Sequence, residues 1–181
     1  MLASSSPQRR AILERLGVPF TVRPARVPEL ARGEPARVAA ANALRKARAA
    51  RRAGVGEVVI GCDTLVALGG AIHGKPPGER AARATLEKLS GATHEVVSGL
   101  AVLLEGEERT AVARTAVTFR ALDEALLDWY LATGEWRGRA GAYAIQGAGA
   151  ALVRAVQGDY ENVVGLPLAT LLDIYPELLR S

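Results

Sequence analysis

Apolar positions along this chain fall into two rhythms that take turns. Ile12, Leu13 and Leu16 are spaced as on one helix face, and Gly17 closes the run. Ser6 before Pro7 forms a good start, because proline at the first helical position gives up an N–H that would be unpaired there anyway. The spacing predicts a helix over residues 7–16. "PFTVRPARVPEL" predicts a strand and then a proline-broken loop, and "GEPARVAAANALRKARAARRAG" a long Ala-rich helix from Glu34-Pro35 to Gly54. "EVVIG" is fully apolar and predicts a buried strand that ends at Asp63 in an acidic turn, with a Gly-Gly hairpin beyond. "PGERAARATLEKLSG" and "DEALLDWYLATGE", the latter capped by Asp123, predict helices on either side of two long strands joined by a Glu-Gly turn. "AGAYAIQGAGAALVRAVQGDYENVVGLP" predicts a Gly-rich extended stretch, and a C-terminal helix follows. No repeat or long linker interrupts this order. The class is α/β, and the long antiparallel pair argues for a mixed sheet over a doubly wound one.

Composition narrows the picture. A chain of 181 residues with 49% hydrophobic positions fits a single domain, here residues 1–181. No apolar run approaches the roughly 18 residues of a membrane span, and "MLA" is no signal peptide. A single cysteine, Cys62, excludes internal disulfides and thiolate metal clusters. These features predict a cytoplasmic protein without membrane contact. The net charge of +4 suits an anionic substrate. Cations are lopsided, twenty Arg against Lys46, Lys75 and Lys88, so a retained Lys hints at a site wanting a compact ammonium. "RKARAARRAG" lacks interleaved aromatics and reads as a solvated helix face; no nucleic-acid partner is expected.

Several residues carry candidate chemistry. Arg9 and Arg10 fall in the first turn of a helix, where the dipole disfavours cations; they either point into water or help the capped helix start to hold an anion. Asp63 follows an apolar strand, where carboxylates commonly project into a cleft as bases or metal ligands. Thr64 is its neighbour, and Lys75 in "GKP" is placed to meet phosphate as a point charge. His73 and His94 share no ligand spacing, so metal ligands must be carboxylates, with Glu29 or Glu34 joining Asp63 around Mg²⁺ or Mn²⁺. Cys62 reads as a small core residue. Gln146 in "GAYAIQGAGA" offers donor and acceptor together, as needed to read a base edge.

Taken in order, "LASSSPQRRAILERLG", "LRKARA", "GCDTLVALGGAIHGKP", "LEKLSGATHEVVSGLAV", "VTFRAL", "GEWRGRAGAYAIQGAGA" and "GDYENVVGLPL" resemble the Maf family of nucleoside triphosphate pyrophosphatases almost end to end. The resemblance implies a mixed, largely antiparallel, elongated sheet flanked by helices, with two lobes around a nucleotide cleft, as in inosine triphosphate pyrophosphatases. It implies a divalent metal cofactor (Mg²⁺ or Mn²⁺) and hydrolysis of a nucleoside triphosphate to monophosphate and pyrophosphate, a house-cleaning reaction, with a homodimer as one assembly. It assigns Asp63 as proton acceptor and Ser6, Arg9, Lys46 and Lys75 as phosphate-binding residues; the metal it implies is expected on Glu29 and Asp63. Thr64 and Gln146 match the branch acting on dTTP and UTP, in contrast to the 7-methyl-GTP branch with "DQ" and "SEG". Gln8 departs from the arginine usual there, and Gly138-Arg139 from the usual Asp-Lys. The family has also been linked to arrest of septum formation, so the competing expectations are a 7-methyl-GTP-type or broad-specificity pyrophosphatase and a non-catalytic nucleotide-binding regulator of septum formation.

Overall fold

The computed structural model describes residues 1–52 and 56–180. Helix α1 spans Pro7–Arg15, and the Ser6 hydroxyl accepts from the Arg9 N–H at its start. Helix α2 spans Pro35–Ala50; the end expected at Gly54 lies outside the described residues. Strand β1 (Val59–Leu68) turns at Gly69-Gly70 into β2 (Ala71–His73). Both glycines have positive φ, +57° and +81°, as a two-residue hairpin turn demands. Helix α3 (Glu79–Leu89) leads to β3 (Thr93–Leu104) and β4 (Glu107–Phe119), the long pair that pattern predicts. Asp123 caps α4 (Glu124–Thr133) through the Leu126 N–H. The chain closes with β5 (Val153–Gln157), α5 (Tyr160–Val164) and α6 (Leu168–Ile174).

The sheet order is β2-β1-β3-β4-β5, and every pair is antiparallel. The parallel component is confined to single bridges from Leu2 to Val22 and to Ile60. Side chains alternate between the two faces of the sheet. One face takes α2 at close range, with Ala39, Ala43 and Ala47 fully buried on it. A Cβ on Gly61 would lie 2.4 Å from the Ala43 carbonyl oxygen, and one on Gly99 would lie 2.2 Å from that of Ala39. These two glycines therefore set the helix-to-sheet spacing. The other face carries two apolar clusters. Ile12, Leu13, Ile60, Cys62, Leu100 and Leu171 belong to one, and Val66, Leu86, Val96, Phe119, Tyr130 and Trp136 to the other.

Three expectations need correction. Residues 19–30 form no strand beyond the single Val22 bridge, because Pro19, Pro24 and Pro28 remove ladder donors. Asp63 sits in the middle of β1 and not at its end: Thr64, Leu65 and Val66 continue the strand opposite Ser98, Val97 and Val96. The Gly-rich stretch after α4 is not extended; it folds into 3-10 turns at Ala140–Ala142 and Ala148–Leu152 before β5. Glycine frequency signals backbone freedom, and the chain uses that freedom here for tight turns.

Candidate active site

Between the Leu2–Ile60 bridge and the first β1–β2 pair at Val66, no strand among the described residues pairs with β1 on its outer side. A cavity of about 620 Å³ opens at this gap. Because β1 is an edge there, side chains from both faces of the sheet reach one space. Asp63 faces α2 and Thr64 faces α1 and α5, yet both line the cavity.

On the α2 side, Asp63 is 5% exposed and its two oxygens are held by one helix. Lys46 Nζ donates to Oδ1 at 2.6 Å and Asn42 Nδ2 to Oδ2 at 2.9 Å. Asn42 and Lys46 are four residues apart on α2 and so share a face. The Asn42 amide also exchanges hydrogen bonds with the backbone of Leu30, 2.8 Å and 3.0 Å, which pins the preceding loop over the site. That loop brings Glu29 to 2.6 Å from Lys46 Nζ, so one ammonium bridges two carboxylates. Burial opposes ionisation of Glu29, but the hydrogen bond and charge of Lys46, with Lys75 and Arg9 behind it, outweigh it and hold the carboxyl below its ordinary value. A carboxylate has about four acceptor positions, so each Asp63 oxygen keeps one free. Two carboxylates are the protein share that Mg²⁺ or Mn²⁺ takes when phosphate oxygens and water complete the shell. Glu29 and Asp63 therefore fit a divalent ion, although among the described residues no three acidic, His or Cys side chains converge as a cage.

On the opposite face Arg9 is buried, and each nitrogen of its guanidinium donates one hydrogen bond, which leaves one N–H on each Nη for a ligand. Nε donates to the Gly165 carbonyl at 2.8 Å, Nη1 to Ser4 Oγ at 3.0 Å and Nη2 to Thr64 Oγ1 at 3.1 Å. Thr64 Oγ1 also lies 2.8 Å from Ser98 Oγ. The two arginines of the first helical turn thus part ways: Arg9 turns into the cavity wall, and Arg10 lies in solvent against Glu14. Ser6 and Gln8 line the cavity, with the Ser6 hydroxyl 3.2 Å from Gln8 Oε1.

The far walls come from β2 and from the turns after α4. Lys75 is exposed at the rim and makes no side-chain hydrogen bond or ion pair among the described residues. Tyr143 and Gln146 line the same space. The Tyr143 hydroxyl lies 2.9 Å from His94 Nε2, in a cluster with Phe119. Glu135 holds the turn after Gln146 by accepting the N–H groups of Ala148 and Gly149 at 3.0 Å and 3.2 Å. Gln146 itself is exposed.

Of the residues singled out from sequence, Ser6, Gln8, Arg9, Glu29, Lys46, Asp63, Thr64, Lys75 and Gln146 all meet at this cavity. Glu34 does not; it caps α2 through the Ala36 and Arg37 N–H groups and pairs with Arg114. Cys62 is fully buried, which pushes its thiol pKa up and leaves it a core residue. Asn42, Glu135, Ser98 and the Gly165 carbonyl were not foreseen. Asn42 alone had a visible signal, a polar residue within an alanine stripe and four positions from Lys46.

The family model of Maf-like proteins matches residues 1–178. The chain belongs to the Maf family. Curated Maf relatives named dTTP/UTP pyrophosphatase are similar over nearly their whole length. The protein of Moorella thermoacetica is 48% identical over 178 residues, 96% of this chain and 92% of the relative. That of Anaeromyxobacter dehalogenans is 49% identical over 174 residues, 93% and 88%. That of Deinococcus radiodurans is 45% identical over 173 residues, 95% and 89%. A nucleotide-sized cavity framed by motifs from one end of this Maf chain to the other agrees with that kinship.

Proposed function

We propose that this protein is a nucleoside triphosphate pyrophosphatase acting on UTP and dTTP, releasing the monophosphate and pyrophosphate. The observation that carries the reading is Asp63, buried at the cavity's floor with one acceptor position free on each oxygen, beside cations on three walls. The activity and the two substrates follow the names of relatives at 45–49% identity.

In this reading a water oxygen attacks the α-phosphorus, the bond from that phosphorus to the bridging oxygen breaks, and the water's proton passes to Asp63. Lys46 and Lys75 offset charge gathering on the departing pyrophosphate, where preorganised cations act most strongly. Arg9 is rigidly held, and Ser6 presents its hydroxyl beside it; together they receive a phosphate without reorganising. Thr64 acts through Arg9, whose Nη2 it accepts. A divalent ion held by Glu29 and Asp63 would supply charge neutralisation and phosphate orientation. Gln146 pairs its amide with the imide edge of uracil or thymine, an alternating carbonyl, N–H and carbonyl. We place the reaction in the cytoplasm, on free nucleotides.

The test is a screen of the purified protein against canonical and modified triphosphates with Mg²⁺ and Mn²⁺, detecting pyrophosphate. UTP and dTTP should exceed 7-methyl-GTP by about five- to 150-fold in kcat/KM, the range expected when a polar contact that the bound base closes off from water goes unpaired. Gln146→Glu should shrink that ratio by repelling the base carbonyls. Equal rates for purines and pyrimidines overturn the base assignment, and absence of pyrophosphate overturns the enzyme.

A further inference from the structure

Four cationic side chains line the cavity: Arg9, Lys46, Lys75 and Arg139. Two are already engaged by the protein. Arg9 donates to three acceptors, and Lys46 bridges two carboxylates. Lys75 stands at the rim in water, where an ammonium is satisfied by solvent. Arg139 differs from all three. It is half-buried between α4 and the first 3-10 turn, its Nε is shut off from solvent, and no protein acceptor meets that N–H. Among the described residues no carboxylate pairs with its guanidinium either.

A buried donor left without an acceptor is costly, and on a charged group the cost is larger. Side chains tolerate such a position where a ligand completes it. No protein acceptor fixes this guanidinium edge, so Arg139, which lines the cavity, can turn to bring its Nε–H to an anion held there. The Nε–H and an adjacent Nη–H form the side-on fork of a guanidinium, which matches two oxygens of a phosphate or carboxylate. A base carbonyl would fill half of that fork and leave the charge uncompensated.

We propose that Arg139 is a substrate-binding residue that turns to grip the phosphate chain of the nucleotide side-on, its Nε–H gaining an acceptor only when the ligand is bound. This inference rests on the triphosphatase reading above, and it adds a contact from the segment that also carries Tyr143 and Gln146. Base-reading and phosphate-gripping groups then belong to one short stretch, residues 139–146, so the nucleotide ties that stretch to the β1 edge at two points.

Calorimetric titration with α,β-methylene-UTP, which cannot be cleaved at the α–β position, tests this directly, with uridine as the probe that lacks phosphate. Arg139→Met should weaken the analogue by about 10- to 100-fold, the range for loss of a charged hydrogen-bonded contact. Uridine affinity should stay within about two-fold. Arg139→Lys keeps the charge but not the fork and should fall between. Thermal stability of Arg139→Met should hold, since the side chain has no protein partner to lose. Unchanged analogue affinity in Arg139→Met overturns the proposal, as does equal weakening of uridine, which would make the contact one to the base. Failure of the wild-type protein to bind the analogue also overturns it. Pyrophosphate release by wild type is assayed in parallel: its absence with analogue binding intact defeats the activity and leaves the Arg139 contact standing.

Discussion

Asp63 and Asn42 illustrate how a single atom decides the outcome of a substitution. Asp63→Asn keeps the shape but turns one acceptor into an NH₂ group. Asn42 cannot rotate to accommodate it, because Leu30 holds its amide at both ends. If the new carbonyl stays with Lys46, an NH₂ faces an NH₂. We therefore expect Asp63→Asn to lose about 10²–10⁴-fold in kcat from the missing base, and also about 1–3 kcal/mol of stability. Steady-state kinetics and urea melts check the two parts separately, and a variant within a few-fold of wild type would remove Asp63 from the chemistry. The lysines should divide in a similar way. Lys46→Met leaves Asp63 buried without its ammonium and should cost about 3 kcal/mol as well as activity. Lys75→Met loses no protein partner, so its melt should match wild type while KM rises; an unchanged KM would place Lys75 outside the site.

At the scale of elements, the site depends on how closely α2 lies on the sheet. Asn42 and Lys46 reach Asp63 only because Gly61 and Gly99 let the helix backbone approach β1 and β3. Gly99 lies directly opposite Asp63 in the ladder. A methyl there would meet the carbonyl of Ala39, which is backbone within a helix and cannot move alone. Gly99→Ala should therefore destabilise by about 1–3 kcal/mol or more, as overpacking does, and should also lower activity by lifting Lys46 from Asp63. Thermal melts with kinetics on the folded fraction check this; a stable, fully active Gly99→Ala would show that the helix spacing is not limiting.

The molecule as a whole should feel pH through His94. Its ring is 1% exposed among Phe119 and Tyr143. Burial, with the charge of His73 second, pushes its pKa down to about 4. An unfolded histidine titrates near 6.5. Between those values the unfolded chain binds a proton that the folded one refuses, so stability is full above about pH 6.5 and falls as pH drops towards about 4. The linkage is worth up to about 3 kcal/mol. Urea melts at about pH 7.5 and about pH 5 should show this loss, with a smaller difference in His94→Gln. Equal pH dependence in the two proteins would assign the effect to other groups. Because Tyr143 shares both the His94 bond and the cavity wall, acid should loosen that wall before the sheet.

Local signals of helix and hairpin were legible in the residues themselves. Pro7 after Ser6, Asp123 before its helix, the Gly69-Gly70 pair and the alternation of β3 and β4 act within a few positions, so the chain states them directly. The cluster of Ser6, Arg9, Lys46, Asp63, Thr64, Lys75 and Gln146 was legible too, through ordered motifs that together resemble one family. Which of those side chains touch, and which remain free, came from tertiary structure alone. Asp63 reads as a strand-end residue because nothing local says that β2 starts late enough to leave the β1 edge open. Glu34 reads as a ligand until Arg114, eighty positions away, and its own helix claim it. Arg9 and Arg139 are alike in sequence, both arginines near small residues and turns. The fold gives one of them three acceptors and leaves the Nε of the other with none, because acceptors for a long cation come from whichever backbone packing brings near.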